Sequence, residues 1–138
     1  MSAEVVLRRT LAVPREEVFD AWLDAPNMAE WMCPGEGTAS AEIDARVGGK
    51  FRIVMTHSSG STEHTGEYLK IERPSLLSFT WKSVHTDDQP TVVTIEFRER
   101  GGGTDLVLTH RRLPPSRLDA HRDGWTDILR KLSAALIR

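Results

Sequence analysis

A single cysteine, Cys33, is all the thiol chemistry that 138 residues contain. One cysteine excludes an intramolecular disulfide and a structural zinc site, and it fits a reducing cytoplasm. Charge of one sign is also missing. Eighteen Lys and Arg stand against 20 Asp and Glu, a net of −2 spread along the chain, so there is no basic footprint for nucleic acid. No apolar run approaches the roughly 20 residues that span a bilayer. The first residues, MSAEVVLRRT, lack the basic-then-apolar layout of a signal peptide. HxH, HExxH and CxxC spacings are absent, so neither a metal nor another cofactor is expected. The glycine pairs Gly48-Gly49 and Gly101-Gly102 precede strands, whereas a phosphate loop opens a helix. No repeat, low-complexity tract or linker breaks the sequence. The expectation is one cytoplasmic domain, residues 1–138, that contacts neither nucleic acid nor membrane.

What is present begins at the C-terminal end. Leu118, His121, Trp125, Ile128, Leu129, Leu132 and Leu136 recur at three- and four-residue steps, so residues 117–138 read as one amphipathic helix. Ser116 is the expected N-cap and Asp119 suits the positive end of the dipole. Gly124 interrupts this helix at a cost of about 1 kcal/mol relative to alanine. A backbone or a ligand approaching closely would explain it, and Gly124→Ala is then expected to destabilise the protein or weaken a ligand.

Upstream, residues 4–12 read as a strand. Pro14, Glu16 and Glu17 open a helix with Val18, Phe19, Trp22 and Leu23 on its apolar face, stopping near Asp24-Ala25-Pro26. A second helical turn covers residues 27–32. Period-two segments follow at 39–45, 51–57, 63–72, 76–82, 92–98 and 106–111, joined by short turns, of which Arg100-Gly101-Gly102-Gly103 is the strongest hairpin signal. Residues 84–90 are polar and read as loop. The fold class is therefore α+β: a curved antiparallel sheet of about six or seven strands wrapped around a long terminal helix, with two short helices after the first strand.

Several stretches in this order carry a family resemblance: PREEVFDAW from Pro14, Trp31-Met32-Cys33-Pro34, DARVGGKF from Asp44, GEYLKIERPSLLSFTW from Gly66, GGGTDLVLTH from Gly101 and HRDGWTDILRKL from His121. Over essentially its whole length the chain resembles the START-like, or SRPBCC, superfamily with its helix-grip fold. Within it, the chain is most similar to the activator of heat-shock protein 90 ATPase homologue family. The resemblance implies a deep cavity between sheet and terminal helix, used by relatives for hydrophobic or amphipathic small molecules. A few relatives are cyclases or dehydratases, and relatives often form homodimers. An acid–base enzyme and a chaperone-regulating or other protein-interaction module are the alternatives to a small-molecule binder.

Read as residues alone, Trp31, Phe51, Met55, Phe79, Trp81 and Trp125 make a solid core; the resemblance turns them into a cavity wall. His57 shares a strand face with Phe51 and Met55, His110 shares one with Leu106 and Leu108, and His121 lies on the helix stripe. These histidines, with Tyr68, are the candidates for orienting a ligand or, in the enzyme alternative, for moving a proton. Each also fits a plain structural role as a donor to a carbonyl. His64 and His85 lie on polar segments and are expected in solvent. Glu67 shares strand parity with Leu69 and Ile71 and is expected half-buried; Glu96 is expected in solvent, which leaves no catalytic carboxylate pair. Cys33 has no visible base to activate it.

Overall fold

In a computed structural model that describes residues 3–137, the chain forms β1 (Ala3–Leu11), α1 (Arg15–Ala21), α2 (Ala25–Trp31), β2 (Thr38–Ile43), β3 (Lys50–His57), β4 (Gly60–Glu72), β5 (Leu76–Trp81), β6 (Thr91–Arg100), β7 (Gly103–Leu113) and α3 (Leu118–Leu136). Short 3₁₀ turns, Val84–Thr86 and Pro115–Arg117, precede β6 and α3. The seven strands form one sheet in the order β1-β7-β6-β5-β4-β3-β2, every neighbouring pair antiparallel. This is the helix-grip arrangement anticipated above.

Alternation decides which face of the sheet is buried. Phe51, Ile53 and Met55 of β3 and Val93, Ile95 and Phe97 of β6 face one core, while Arg52, Thr56 and Arg98 face water. Gly101 and Gly102 both have positive φ (55° and 84°). That is the primed geometry that matches strand twist in a two-residue hairpin, and it sets the register Arg100↔Gly103. The backbone of α3 comes close to β1 and α2. Over the middle of the sheet the gap is wider, and Trp125 bridges it to Trp81 on β5 with ring centroids 5.2 Å apart.

Three local expectations need correction. Ser116 is not the cap of α3: it lies in the 3₁₀ turn, and Arg117 occupies the N-cap without a side-chain capping bond. The Arg117 guanidinium instead pairs with Asp87, 3.0 Å away. Pro26 does not end α1, which stops at Ala21. It starts α2, in the first turn, where a missing N–H costs nothing. Residues 84–90 are not plain loop, because the buried Ser83 and Thr86 side chains cap a 3₁₀ turn reciprocally. Arg138, the last residue of the expected helix, lies outside the described residues.

Candidate functional site

Between α3, β3, β4 and the Val84–Thr86 turn lies a cavity of about 380 Å³. That is within the roughly 300–1,000 Å³ range of small-molecule sites. Its apolar wall is Met55 from β3, Trp81 from β5, and Trp125 and Ile128 from α3. The β3–β4 hairpin contributes Ser59, Gly60, Ser61 and Thr62, and Pro34 closes one rim. Four of the chain's five histidines, His57, His64, His85 and His121, complete the lining. No Asp, Glu, Lys or Arg is among the lining residues.

The structure thus brings together five residues singled out from the sequence: Met55, His57, Trp81, His121 and Trp125. The other five stand behind the wall. Phe51, Tyr68 and Phe79 surround a separate void of about 10 Å³, room for no more than a water. Trp31 is buried against Trp22 (4.8 Å) and donates its indole N–H to Asn27 Oδ1 at 2.9 Å. Burial pushes the Tyr68 phenol up, with Asp44 adding to the shift.

His110 is wholly buried and its protons can be assigned. The Trp125 indole N–H donates to His110 Nδ1 at 2.9 Å, so His110 must carry its proton on Nε2. Nε2–H donates to Thr91 Oγ1 (2.7 Å), whose own proton goes to the Trp81 carbonyl (2.5 Å). The chain Trp125–His110–Thr91–Trp81 ties α3 to β7, β6 and β5. Desolvation, then the neighbouring His121, push the His110 pKa down to about 3, so the ring stays neutral at pH 7.

His121 stands edge-on to His110, with centroids 5.1 Å apart. Its Nδ1 is 2.8 Å from the Arg117 carbonyl, which can only accept. Nδ1 therefore holds the proton and Nε2 is left as an acceptor. Burial depresses its pKa, weakening it as a base. His57 is arranged in mirror fashion: Nε2 lies 2.8 Å from the Pro34 carbonyl and donates to it. Cys33 Sγ is 3.4 Å from the same nitrogen, but a nitrogen already protonated takes no proton from a thiol. Burial also pushes the Cys33 thiol up, so this pair is no activated nucleophile.

His64 overturns the expectation that it is solvated. It is 5% exposed, stacks on Trp81 at 4.8 Å, and its Nδ1 is buried without a hydrogen-bond partner. Desolvation is the main cause that brings its pKa to about 4. His85 lies on the surface but turns its ring to the cavity, 6.3 Å from that of His64. The polar run around it hid His64. The available signal was parity, since His64 shares a strand face with the buried Tyr68 four residues on. The signal available for His85 was the Ser83-x-x-Thr86 capping pattern.

Polar contacts hold the Cys33–Gly35 rim to α3. Lys131 Nζ donates to the Cys33 carbonyl at 2.6 Å and also to the Gly35 carbonyl. The Gly35 N–H donates to Asp127 at 2.5 Å, and this bond, with Arg130, holds that carboxyl below its usual range. Gly124 faces the cavity, and no backbone crowds it. An added Cβ would meet only Pro34 Cγ, at 3.9 Å. The expected destabilisation by Gly124→Ala is therefore corrected. Without a ligand, alanine should raise stability by about 1 kcal/mol, read as a rise of about 4 °C in Tm. A lowered Tm would mean that the helix is strained at this point.

Among the described residues, no group of three or more His, Cys, Asp or Glu is placed to hold a metal ion, and no helix is long and apolar enough to cross a membrane.

A sequence-family profile described as "Activator of Hsp90 ATPase homolog 1-like protein" matches residues 12–136. Among solved structures, the chain is similar to the AHSA1 protein from Silicibacter pomeroyi at 31% identity and TM-score 0.79, with 97% of each chain covered. A protein from Chromobacterium violaceum is similar at 26% identity and TM-score 0.86, covering 98% of this chain and 97% of that one. A protein from Rhizobium leguminosarum is similar at 25% identity and TM-score 0.81, covering 99% and 95%. No functionally curated protein matches the chain.

Proposed function

The chain belongs to the Activator of Hsp90 ATPase homolog 1-like family, and from that premise we propose that it binds an apolar or amphipathic small molecule between sheet and α3. The observation that carries this reading is the 380 Å³ cavity walled by Met55, Trp81, Trp125 and Ile128. A solid core would fill that space, since protein interiors pack at crystal-like density. The driving force is burial of ligand surface, about 25 cal/mol per Å² of apolar area. The histidines and the Ser59–Thr62 hairpin supply the few polar groups that fix orientation.

N-phenyl-1-naphthylamine, an uncharged apolar dye, tests the proposal. It should bind with enhanced emission and quench Trp81 and Trp125. Gly124→Leu, which projects into the cavity from a site with no crowding backbone, should weaken the dye about tenfold or more, the 1.4 kcal/mol of one lost apolar contact patch, while the protein stays folded. Absence of dye binding to the unmodified protein, or an unchanged affinity in Gly124→Leu, would reject the cavity as the site.

A further inference from the structure

The cavity is lined by apolar side chains and by four imidazoles, and no lining residue carries a fixed charge. A purely apolar ligand would strip water from these nitrogens and offer nothing in return, a cost comparable to a lost hydrogen bond at each. A cationic ligand would meet no carboxylate. An anion would meet no Lys or Arg, but it would meet bases able to take a proton. His121 Nε2 is an acceptor, because its Nδ1–H is committed to the Arg117 carbonyl, and the His64 ring lines the same cavity.

Building on the reading of this cavity as a ligand site, we infer that its ligand is an apolar carboxylic acid, taken up together with one proton shared by its carboxylate and the His64–His121 side of the cavity. The acid would lay its apolar body against Trp81 and Trp125 and its carboxyl between the rings. Proton and anion enter together, so no net charge is buried, which is the condition a low-dielectric cavity imposes.

The surroundings fix the stoichiometry at one. His64, on β4, is disfavoured as a cation by its burial and then by His85 and His121; His121, on α3, is disfavoured by its burial and by His85, against the bond to the Arg117 carbonyl, which favours the cation. A second proton would therefore meet the first. His57, on β3, spends its Nε2–H on the Pro34 carbonyl, with the Cys33 thiol behind it. His110, on β7, is held neutral behind His121 by its burial, and the Trp125 bond fixes its tautomer. Arg117 is itself engaged by Asp87. In the free protein His64 titrates near 4, and a free carboxylic acid titrates at about 4 as well. Above pH 5 both are deprotonated before binding, so the complex holds one more proton than its parts. The affinity should then fall with rising pH, by up to about tenfold per unit.

Calorimetric titration with 1-naphthoic acid and its methyl ester tests this, at pH 7 in phosphate and in Tris. The acid should bind at least tenfold more tightly than the ester and take up close to one proton, and should weaken about tenfold between pH 7 and 8. His64→Gln and His121→Gln should lower the acid's proton uptake and shrink its affinity advantage over the ester towards one. An ester bound as tightly as the acid, or an acid bound without proton uptake, overturns the inference and leaves the cavity reading intact. Failure of both probes, together with failure of N-phenyl-1-naphthylamine, overturns both.

Discussion

Replacing Trp125 with alanine should cost about 3–5 kcal/mol, as expected for truncating a buried aromatic. For a domain whose total stability is of order 5–15 kcal/mol, that is about a fifth at the least. Trp125 is 2% exposed and packs between Trp81, Trp22 and His110. Part of the loss is packing and part is the hydrogen bond to His110, and Trp125→Phe separates the two. Phenylalanine keeps a ring in the space but has no N–H, so His110 Nδ1 is left buried without a donor. The expected cost is about 1–3 kcal/mol. His110→Leu removes the orphaned acceptor. If the bond is what couples the residues, Trp125→Phe should cost distinctly less in that background, with an interaction energy of about 0.5–3 kcal/mol. Urea unfolding with a constant m-value is the measurement. Additive single effects would mean that Trp125 and His110 are merely neighbours.

This network bears on the site as well as on stability. His110 sits directly behind His121; burial keeps it neutral, and the Trp125 indole fixes its tautomer and helps to bury it. A cavity whose imidazoles must remain uncharged until a ligand arrives needs the ring behind them to stay uncharged too. The same tryptophan therefore makes the apolar wall and keeps the histidine behind it from titrating. Loss of Trp125 should disturb binding through both.

Why some of this was legible in the sequence and some was not has a physical basis. Trp125, Ile128, Leu129 and Leu132 are buried as their 3.6-residue spacing requires, because a helix stripe has one place to go. Met55 and His57 reached the cavity because β3 alternates without interruption from Phe51 to His57. Parity tells which side of a sheet a residue faces, but not what lies there. Phe51, Phe79 and His110 face inward like Met55, yet they lie behind the cavity wall and only three-dimensional packing separates them. His64 stands in a polar run, Ser61 to Gly66, and is buried all the same because it shares a strand face with Tyr68. His85 sits in a non-periodic turn where such arguments do not apply. The histidines that gather at the cavity come from β3, β4, a 3₁₀ turn and α3, four segments whose meeting no local pattern announces.

Gly66→Ala should be as damaging as Gly124→Ala is favourable, although the chemical change is identical. At Gly66 an added Cβ would fall on the Thr80 carbonyl oxygen and into the Phe51 ring. Main chain cannot step aside alone, since Thr65 and Lys82 exchange two backbone hydrogen bonds beside it, at 3.0 and 2.9 Å. A methyl there must part β4 from β5 or drive Phe51 from its place against Phe79 and Trp81. Overpacking of side chains alone costs about 1–3 kcal/mol, and a clash with backbone should bring the loss to the top of that range or beyond. Phe51→Leu added to Gly66→Ala separates the two clashes, because it relieves the ring but leaves the carbonyl. Partial recovery is the expected result. Full recovery would show that the ring alone excluded a side chain at Gly66, and no loss at all would show that β4 and β5 can part freely there. The displacement also has a route to the cavity, because His64 is two residues away on β4 and stacks on Trp81. Whatever fraction of Gly66→Ala remains folded should therefore bind N-phenyl-1-naphthylamine more weakly, whereas Gly124→Leu loses the dye without losing the fold.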